Sequence, residues 1–187
     1  MKLLIIDNYD SFVYNIGQYV GELGFDFTIR KNNDLDDLKK ESIEKIIISP
    51  GPGNPENPGD RGNVTEFLKE HDESTVLGIC FGHQLLGYIT GSKIFRMNRQ
   101  YHGEVDTIKH FGSKLYENIP ESFKAIRYHS LSITENEKIV VDCLSTTDKS
   151  IMGFHSRDGK FFGVQFHPES FYSEYGKQIL LNFMVSA

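Results

Sequence analysis

The chain has 187 residues, of which 39% are hydrophobic and 25% charged, and 14 Phe and 9 Tyr are available to fill a core. This composition excludes a disordered chain and predicts a single globular domain over residues 1–187. The net charge of −6 and the lack of a long basic run argue against nucleic acid as a partner. The lack of an apolar run of roughly 18 residues argues against a membrane partner. We therefore expect a cytoplasmic protein.

The first half of the chain alternates short apolar runs with segments of helical periodicity. Strands are predicted at residues 2–7, 27–31, 45–49 and 75–80, and helices at 12–23, 61–71 and 82–89. Strands that are separated by helices predict an α/β protein with a mainly parallel central sheet flanked by helices.

The second half is richer in short alternating segments, which predict β-strands. These segments are residues 102–110, 123–129, 138–145, 151–156 and 160–167. Asp158-Gly159 is typical of a hairpin turn, so we expect a small antiparallel extension of the sheet. A last helix is predicted over 174–185, with Tyr175, Ile179 and Phe183 on one face.

The first motif of chemical interest is Gly-Ile-Cys-Phe-Gly, residues 78–82, where an apolar strand meets a helical segment. Small residues on both sides of Cys80 favour a nucleophile elbow, and a helix N-terminus favours thiolate over thiol. The alternative is a buried structural cysteine. Cys143 has no such surroundings and is predicted to pack in the core. With only two cysteines and no secretory signal, we expect both to be reduced.

The second motif is His167-Pro168-Glu169 at the end of an apolar run. In an extended chain residues i and i+2 point to the same side, so the imidazole and the carboxylate can form a hydrogen bond. A carboxylate on one ring nitrogen leaves the other nitrogen free to take a proton from a thiol. The order nucleophile, histidine, glutamate fits a Cys-His-Glu triad. The alternative is that His-Pro-Glu occurs by chance at the protein surface.

The third motif is the loop Ser49-Pro50-Gly51-Pro52-Gly53, which follows an apolar strand. Parallel sheets carry their sites at the carboxyl ends of strands, so this loop is expected beside Cys80 if the two strands are neighbours. Pro52 has no amide hydrogen. Gly51 or Gly53 would therefore donate to an oxyanion, together with the amide of Phe81. The other interpretation is a simple turn, and the missing Gly-Lys-Ser/Thr excludes a P-loop.

Metal binding is not expected from the remaining histidines, because no spacing typical of a metal site occurs among them. They are His71, His83, His102, His110, His129 and His155. We predict no metal and no other cofactor.

Five segments in order resemble the class I glutamine amidotransferases, and in particular the small glutaminase subunit shared by anthranilate synthase and aminodeoxychorismate synthase. They are DNYDSF, SPGPG, GICFGHQ, RYHSL and GVQFHPES. The resemblance runs from about residue 3 to the end and implies a flavodoxin-like fold. It implies that Cys80 is the nucleophile, His167 the base and Glu169 the third member of the triad. It also implies residues that hold glutamine and its oxyanion: Gly51, Pro52, Gly53, Gln84, Ser130 and Leu131.

Gln84 and the Ser130-Leu131 segment carry further expectations. Gln84 follows Cys80 on a predicted helix and can reach a ligand at the helix start, the alternative being an ordinary surface residue. Ser130-Leu131 is expected to follow a strand, and the resemblance implies that its backbone pairs with the amino acid.

Two segments depart from the family pattern. Glu104-Val105-Asp106 stands where the family usually has Lys and small hydroxyl residues, and Ser173-Glu174-Tyr175 differs from the usual Thr-Glu-His. We interpret both segments as parts of a partner-facing surface.

The resemblance implies that the chain hydrolyses L-glutamine and passes ammonia to a chorismate-binding synthase subunit, which makes anthranilate for tryptophan biosynthesis. The same chemistry in aminodeoxychorismate synthase, for folate biosynthesis, remains an alternative. Other classes are a cysteine peptidase or γ-glutamyl hydrolase with a similar triad, and a catalytically silent interaction domain. A chain of this length has no room for a chorismate site of its own, so a separate partner is expected.

Overall fold

The computed structural model describes residues 1–38 and 40–186, and within them nine strands form one continuous sheet. The strands are β1 (Leu3–Asp7), β2 (Phe27–Lys31), β3 (Lys45–Ile48), β4 (Thr75–Ile79), β5 (Ile94–His110), β6 (Ser122–Ile133), β7 (Ile139–Ser145), β8 (Ile151–Ser156) and β9 (Phe161–Val164). The helices are α1 (Val13–Glu22), α2 (Pro58–Arg61), α3 (Val64–Glu70), α4 (Phe81–Thr90) and α5 (Gly176–Val185). Short 3-10 turns occur at Asp36–Leu38 and Lys114–Tyr116.

The strand order is β2-β1-β3-β4-β9-β8-β7-β5-β6. The first five of these strands run parallel, and each later neighbour is antiparallel. Gly78 in β4 pairs with Ile48 in β3 and with Gly163 in β9, so the carboxyl ends of three adjacent strands meet at one edge. The predicted α/β fold, with its parallel centre and antiparallel extension, is confirmed.

Helices cover both faces of the parallel strands. Alternate residues of β1 point to opposite sides of the sheet, and all of them are apolar up to Asp7, so both faces have to be covered. Leu3 and Ile5 belong to the core formed with α1 and α5, whereas Leu4 and Ile6 belong to the core formed with α3 and α4. Within the described residues, no helix combines the length and apolar character needed to span a membrane.

Several predicted boundaries were wrong. The helix predicted over 61–71 is interrupted at Gly62, whose positive φ of 54° ends α2 before α3 begins. Strand β6 continues through Ser130 and Leu131 to Ile133, so these two residues lie within a strand and do not follow one. The strand predicted up to residue 167 ends at Val164.

The start of the last helix also differs from the prediction. Ile179 and Phe183 are buried as expected, but Tyr175 precedes α5 in a left-handed conformation with φ 59° and is 43% exposed. It does not share the buried face. Strand β5 begins at Ile94, in a stretch for which no strand was predicted.

Candidate active site

Cys80 lies on a strained turn between β4 and α4. Its φ of 52° and ψ of −99° are unfavourable for a residue with a side chain. The turn closes because its neighbours are glycines: a Cβ on Gly78 would lie 2.3 Å from the Gly82 carbonyl carbon, and a Cβ on Gly82 would lie 2.4 Å from the Ile48 oxygen. The Cys80 amide donates to the Val164 carbonyl of β9 over 2.8 Å. The backbone is therefore held in the conformation expected of a nucleophile elbow.

The Cys80 side chain stands at the N-terminus of α4. The residue is 6% exposed. Its thiol donates to the carbonyl of Tyr128, at 3.6 Å from sulfur to oxygen, so β6 forms the opposite wall.

His167 and Glu169 form a buried pair in the turn after β9. Nδ1 of His167 lies 2.6 Å from Oε1 of Glu169, and their side chains are 3% and 0% exposed. The expected hydrogen bond is present, but it forms across a turn and not along a strand. Burial lowers the pKa of His167, whereas the charges of Cys80 and Glu169 beside it raise that pKa, and the net result is well above the ordinary value. The charged imidazolium form of His167 is therefore favoured beside Cys80.

A cavity of about 190 Å³ opens in front of Cys80. It is lined by Gly51, Pro52, Gly53, Cys80, Gln84, Tyr128, His129, Ser130 and Leu131. The structure thus brings together nearly every residue that the sequence analysis assigned to substrate binding. Phe81 is the exception, since its side chain is buried in the core and only its backbone, at the first residue of α4, adjoins Cys80.

Gln84 is buried and not a surface residue, so that alternative is wrong. Its Nε2 donates to the Leu131 carbonyl over 3.2 Å and to Oε1 of Gln165 over 3.0 Å. Gln84 therefore joins α4 to the β6 wall of the cavity.

The loop at residues 51–53 rests on an asparagine that sequence reasoning missed. The backbone amide of Asn8 donates to Ser49 Oγ and its side chain donates to the Ser49 carbonyl, both over 2.9 Å. Asn32 in turn donates to Asn8 Oδ1 over 3.0 Å. A Cβ on Gly51 would lie only 2.5 Å from the Asn8 Cβ, so only glycine fits. The DNYDSF segment was noted in the sequence, but no local pattern showed that its asparagine supports a distant loop.

The segments interpreted as partner-facing divide into exposed and buried residues. Val105 and Tyr175 are exposed, and Glu104 is half-buried. Asp106 is only 7% exposed and pairs with the buried Arg127, so assigning it to a partner surface was wrong. Among the described residues, no group of three or more His, Cys, Asp or Glu side chains is arranged to hold a metal ion.

Comparison with known proteins identifies the family. The family model of class-I glutamine amidotransferases matches residues 4–187. Anthranilate synthase component 2 of Saccharolobus solfataricus is 44% identical over 188 residues, which cover 97% of this chain and 96% of that protein. The corresponding protein of Porphyra purpurea is 43% identical, with 98% and 99% covered. The chain therefore belongs to the class-I glutamine amidotransferase family.

The fold is also found in solved structures. A Thermoplasma acidophilum protein, described as a candidate subunit of GMP synthase, superposes with a TM-score of 0.89 at 22% identity, covering 98% of this chain and 92% of that one. At this identity the likeness shows the fold alone.

Proposed function

We propose that this chain is the glutaminase subunit of an anthranilate synthase, which hydrolyses L-glutamine and delivers ammonia to a chorismate-binding synthase subunit. The observation that carries the proposal is the meeting of Cys80, on its strained turn, with the His167–Glu169 pair beside a small polar cavity. The names of the similar proteins, anthranilate synthase components 2, favour the tryptophan pathway over the folate alternative.

In the proposed reaction the Cys80 thiolate attacks the side-chain amide carbon of glutamine, and the His167 imidazolium gives its proton to the departing ammonia. A water molecule then attacks the thioester and loses a proton to neutral His167, which releases glutamate and restores the thiolate. Glu169 orients the ring and stabilises its charged form. The amides of Phe81 and of Gly51 or Gly53 are proposed to hold the oxyanion.

The size of the cavity supports an amino acid as the substrate. Its volume of about 190 Å³ is below the roughly 300–1,000 Å³ typical of sites for drug-sized ligands. A peptidase or a hydrolase of long γ-glutamyl chains would need a longer groove beside the nucleophile. Free glutamine fits the available space better.

The proposal includes the cytoplasm as the working compartment and residues 1–187 as one amidotransferase domain. The reaction needs a thiolate, and Cys80 and Cys143 are both unpaired thiols, which suits a reducing compartment. The continuous sheet, whose strands β3, β4 and β9 all contribute to the site, supports a single domain.

An exposed aromatic surface next to the site supports the docking of a synthase subunit there. Phe171 is 91% exposed, Tyr172 65% and Tyr175 43%, and all three closely follow Glu169 in the chain. Contiguous exposed apolar side chains commonly mark an interface.

Replacing both Phe171 and Tyr172 with serine should weaken association with the synthase subunit. Val185→Ser is a control, because Val185 is 65% exposed but lies at the end of α5 that is remote from Tyr175. Equal affinity of the double variant and the wild type would refute this docking surface.

The direct test of the function uses glutamine that carries ¹⁵N in its side-chain amide. The purified chain, together with chorismate and a chorismate-binding synthase subunit, should convert it to glutamate and ¹⁵N-labelled anthranilate. An excess of unlabelled ammonium should dilute the label only weakly if ammonia passes directly between the subunits. Failure to release glutamate in the presence of the partner would refute the proposal.

A further inference from the structure

A fully buried arginine lies behind the β6 wall of the cavity. Nη1 of Arg127 donates to Asp106 over 2.6 Å, and Nη2 donates to Asp148 over 3.0 Å and to Ser150 over 2.9 Å. The ring of Tyr101 covers the guanidinium at 3.5 Å. These contacts fix both ends of the guanidinium plane, so the remaining Nε–H group has one possible direction.

That Nε–H group points at His129, which also lines the cavity. The distance from Arg127 Nε to His129 Nε2 is 3.1 Å. A guanidinium can only donate, so Nε2 of His129 must accept and its ring proton must sit on Nδ1. Nδ1 lies 2.8 Å from the Leu131 carbonyl oxygen and donates to it. Burial lowers the pKa of His129 to about 4, and the charge of Arg127 acts in the same direction, so the ring is neutral near pH 7.

The Leu131 carbonyl thereby receives two donors from different elements. One is His129 on the same strand, and the other is Gln84 on α4. Turning this peptide plane would break both hydrogen bonds and leave two donors without an acceptor. Ser130 and Leu131 face Cys80 across the cavity, so the conformation of this backbone decides what the cavity wall offers to a ligand.

We propose that Arg127 and His129 are positioning residues that fix the Ser130–Leu131 backbone for binding glutamine. Arg127 sets the tautomer of His129, and His129 holds the Leu131 carbonyl. This inference rests on the proposed glutaminase function. The Cys80 amide is held by β9 and the His167 ring is held by Glu169, and neither contact involves His129. Loss of the relay should therefore raise the KM for glutamine and leave kcat nearly unchanged.

The kinetic test compares two replacements of His129. Asparagine places an amide N–H group near the position of Nδ1, whereas leucine has no donor. His129→Leu should raise the KM for glutamine about tenfold with kcat changed less than about threefold, the effect of one lost hydrogen bond, and His129→Asn should recover most of the loss. An unchanged KM in His129→Leu, or a loss confined to kcat, would overturn the proposal.

His110→Leu is the matched control for these variants. His110 is also buried in the antiparallel extension and bonds to backbone carbonyls, at Ile119 and Pro120, but it lies outside the cavity. Its replacement should leave the KM for glutamine unchanged. An equal rise in KM in this variant would show a general loosening of the sheet and would count against the relay.

A second measurement does not depend on activity. Long-range ¹H–¹⁵N spectra of the histidine-labelled wild type at pH 7 should show His129 neutral and protonated on Nδ1, with assignment by the signals that disappear in His129→Asn. A ring protonated on Nε2, or on both nitrogens, would overturn the relay. Lack of glutaminase activity in the wild-type complex would instead refute the proposed function, and the spectra would still decide the Arg127–His129 contact.

Discussion

The two cysteines of this protein are both buried, yet their surroundings differ in every respect that governs reactivity. Cys143 is 0% exposed in the middle of β7, and burial raises the pKa of its thiol well above the ordinary value. Cys80 is 6% exposed on a strained turn, with a helix N-terminus, the His167–Glu169 pair and a cavity around it. Low exposure alone therefore says little about a thiol, because the charges and space around the sulfur decide its chemistry.

The sharpest test of this comparison replaces each cysteine with serine. Cys80→Ser should remove at least about 10⁴-fold of the glutamine-dependent activity, as loss of the nucleophile does in other hydrolases. Synthesis from added ammonium salts should survive, because the synthase subunit can take ammonia from solution. Cys143→Ser should retain both activities. Equal loss of both activities in Cys80→Ser would assign Cys80 a structural role.

The next effect concerns the pair that activates Cys80. His167→Ala should cost roughly 10³–10⁴-fold in glutaminase kcat, whereas Glu169→Ala should cost about tenfold less, because only His167 transfers the proton. Steady-state kinetics on folded variants, checked by circular dichroism, measure both values. If Glu169→Ala were the more damaging change, the two roles would have to be reversed.

Chemical labelling can compare the two thiols within one molecule. A glutamine-like diazo-ketone should modify Cys80 at least about a hundred times faster than Cys143, because only Cys80 lines the cavity and burial raises the pKa of the Cys143 thiol. Mass mapping of the adduct identifies the residue, and excess glutamine should slow its formation. Modification of Cys143, or labelling that is insensitive to glutamine, would contradict the assignment.

Activation by the partner is expected to change the rate by about as much as the two thiols differ in labelling rate. The loop at residues 51–53 contains two glycines, and Gly53 has a φ of +96°, so one peptide plane can turn and move an oxyanion donor in or out of place. One donor is worth about 3 kcal/mol, or roughly a hundredfold in rate. Glutamate release should therefore rise up to about a hundredfold when chorismate is added together with the synthase subunit. Full glutaminase activity of the isolated chain would contradict this proposed activation.

The smallest effect concerns His83, which follows Cys80 closely in the chain. Its pKa is shifted downward, whereas that of His167 is shifted upward. Burial lowers the pKa of His83 to about 3, with only partial compensation by the Gly163 backbone, so the ring is neutral in the folded protein. The unfolded chain gains a proton near pH 6.5, and stability is therefore lost as the pH falls below that value. The contribution of His83 to this loss should be about 2 kcal/mol at pH 5 relative to pH 7. Urea unfolding at both values measures it, and His83→Leu should reduce the difference; an unchanged difference would contradict the assignment.

Local patterns predicted most of the strands, the elbow and the His167–Glu169 hydrogen bond, because each of these depends on residues that are close in the sequence. The Gly78-to-Gly82 turn and the Asp158-Gly159 hairpin carry their geometry in the sequence. The contacts that support the cavity could not be predicted in the same way. Asn8 reaches Ser49, and Arg127 reaches Asp106 and Asp148, between elements far apart in the chain. The Arg127–Asp106 pairing depends on the register between β5 and β6, which contains two irregularities that no sequence pattern predicts.

The position of β9 has a consequence for synthesis of the protein on the ribosome. This strand follows all the others in the described chain, yet it lies in the centre of the sheet between β4 and β8. It accepts the Cys80 amide at Val164 and leads directly to His167. A nascent chain that already contains Cys80 thus lacks the proposed base His167 and the partner strand of its turn, so the proposed reaction has to wait until β9 inserts. Insertion of a late central strand joins distant parts of the sequence, which is a slow kind of folding step. The surroundings of Cys80 are therefore completed in the same folding step that completes the sheet.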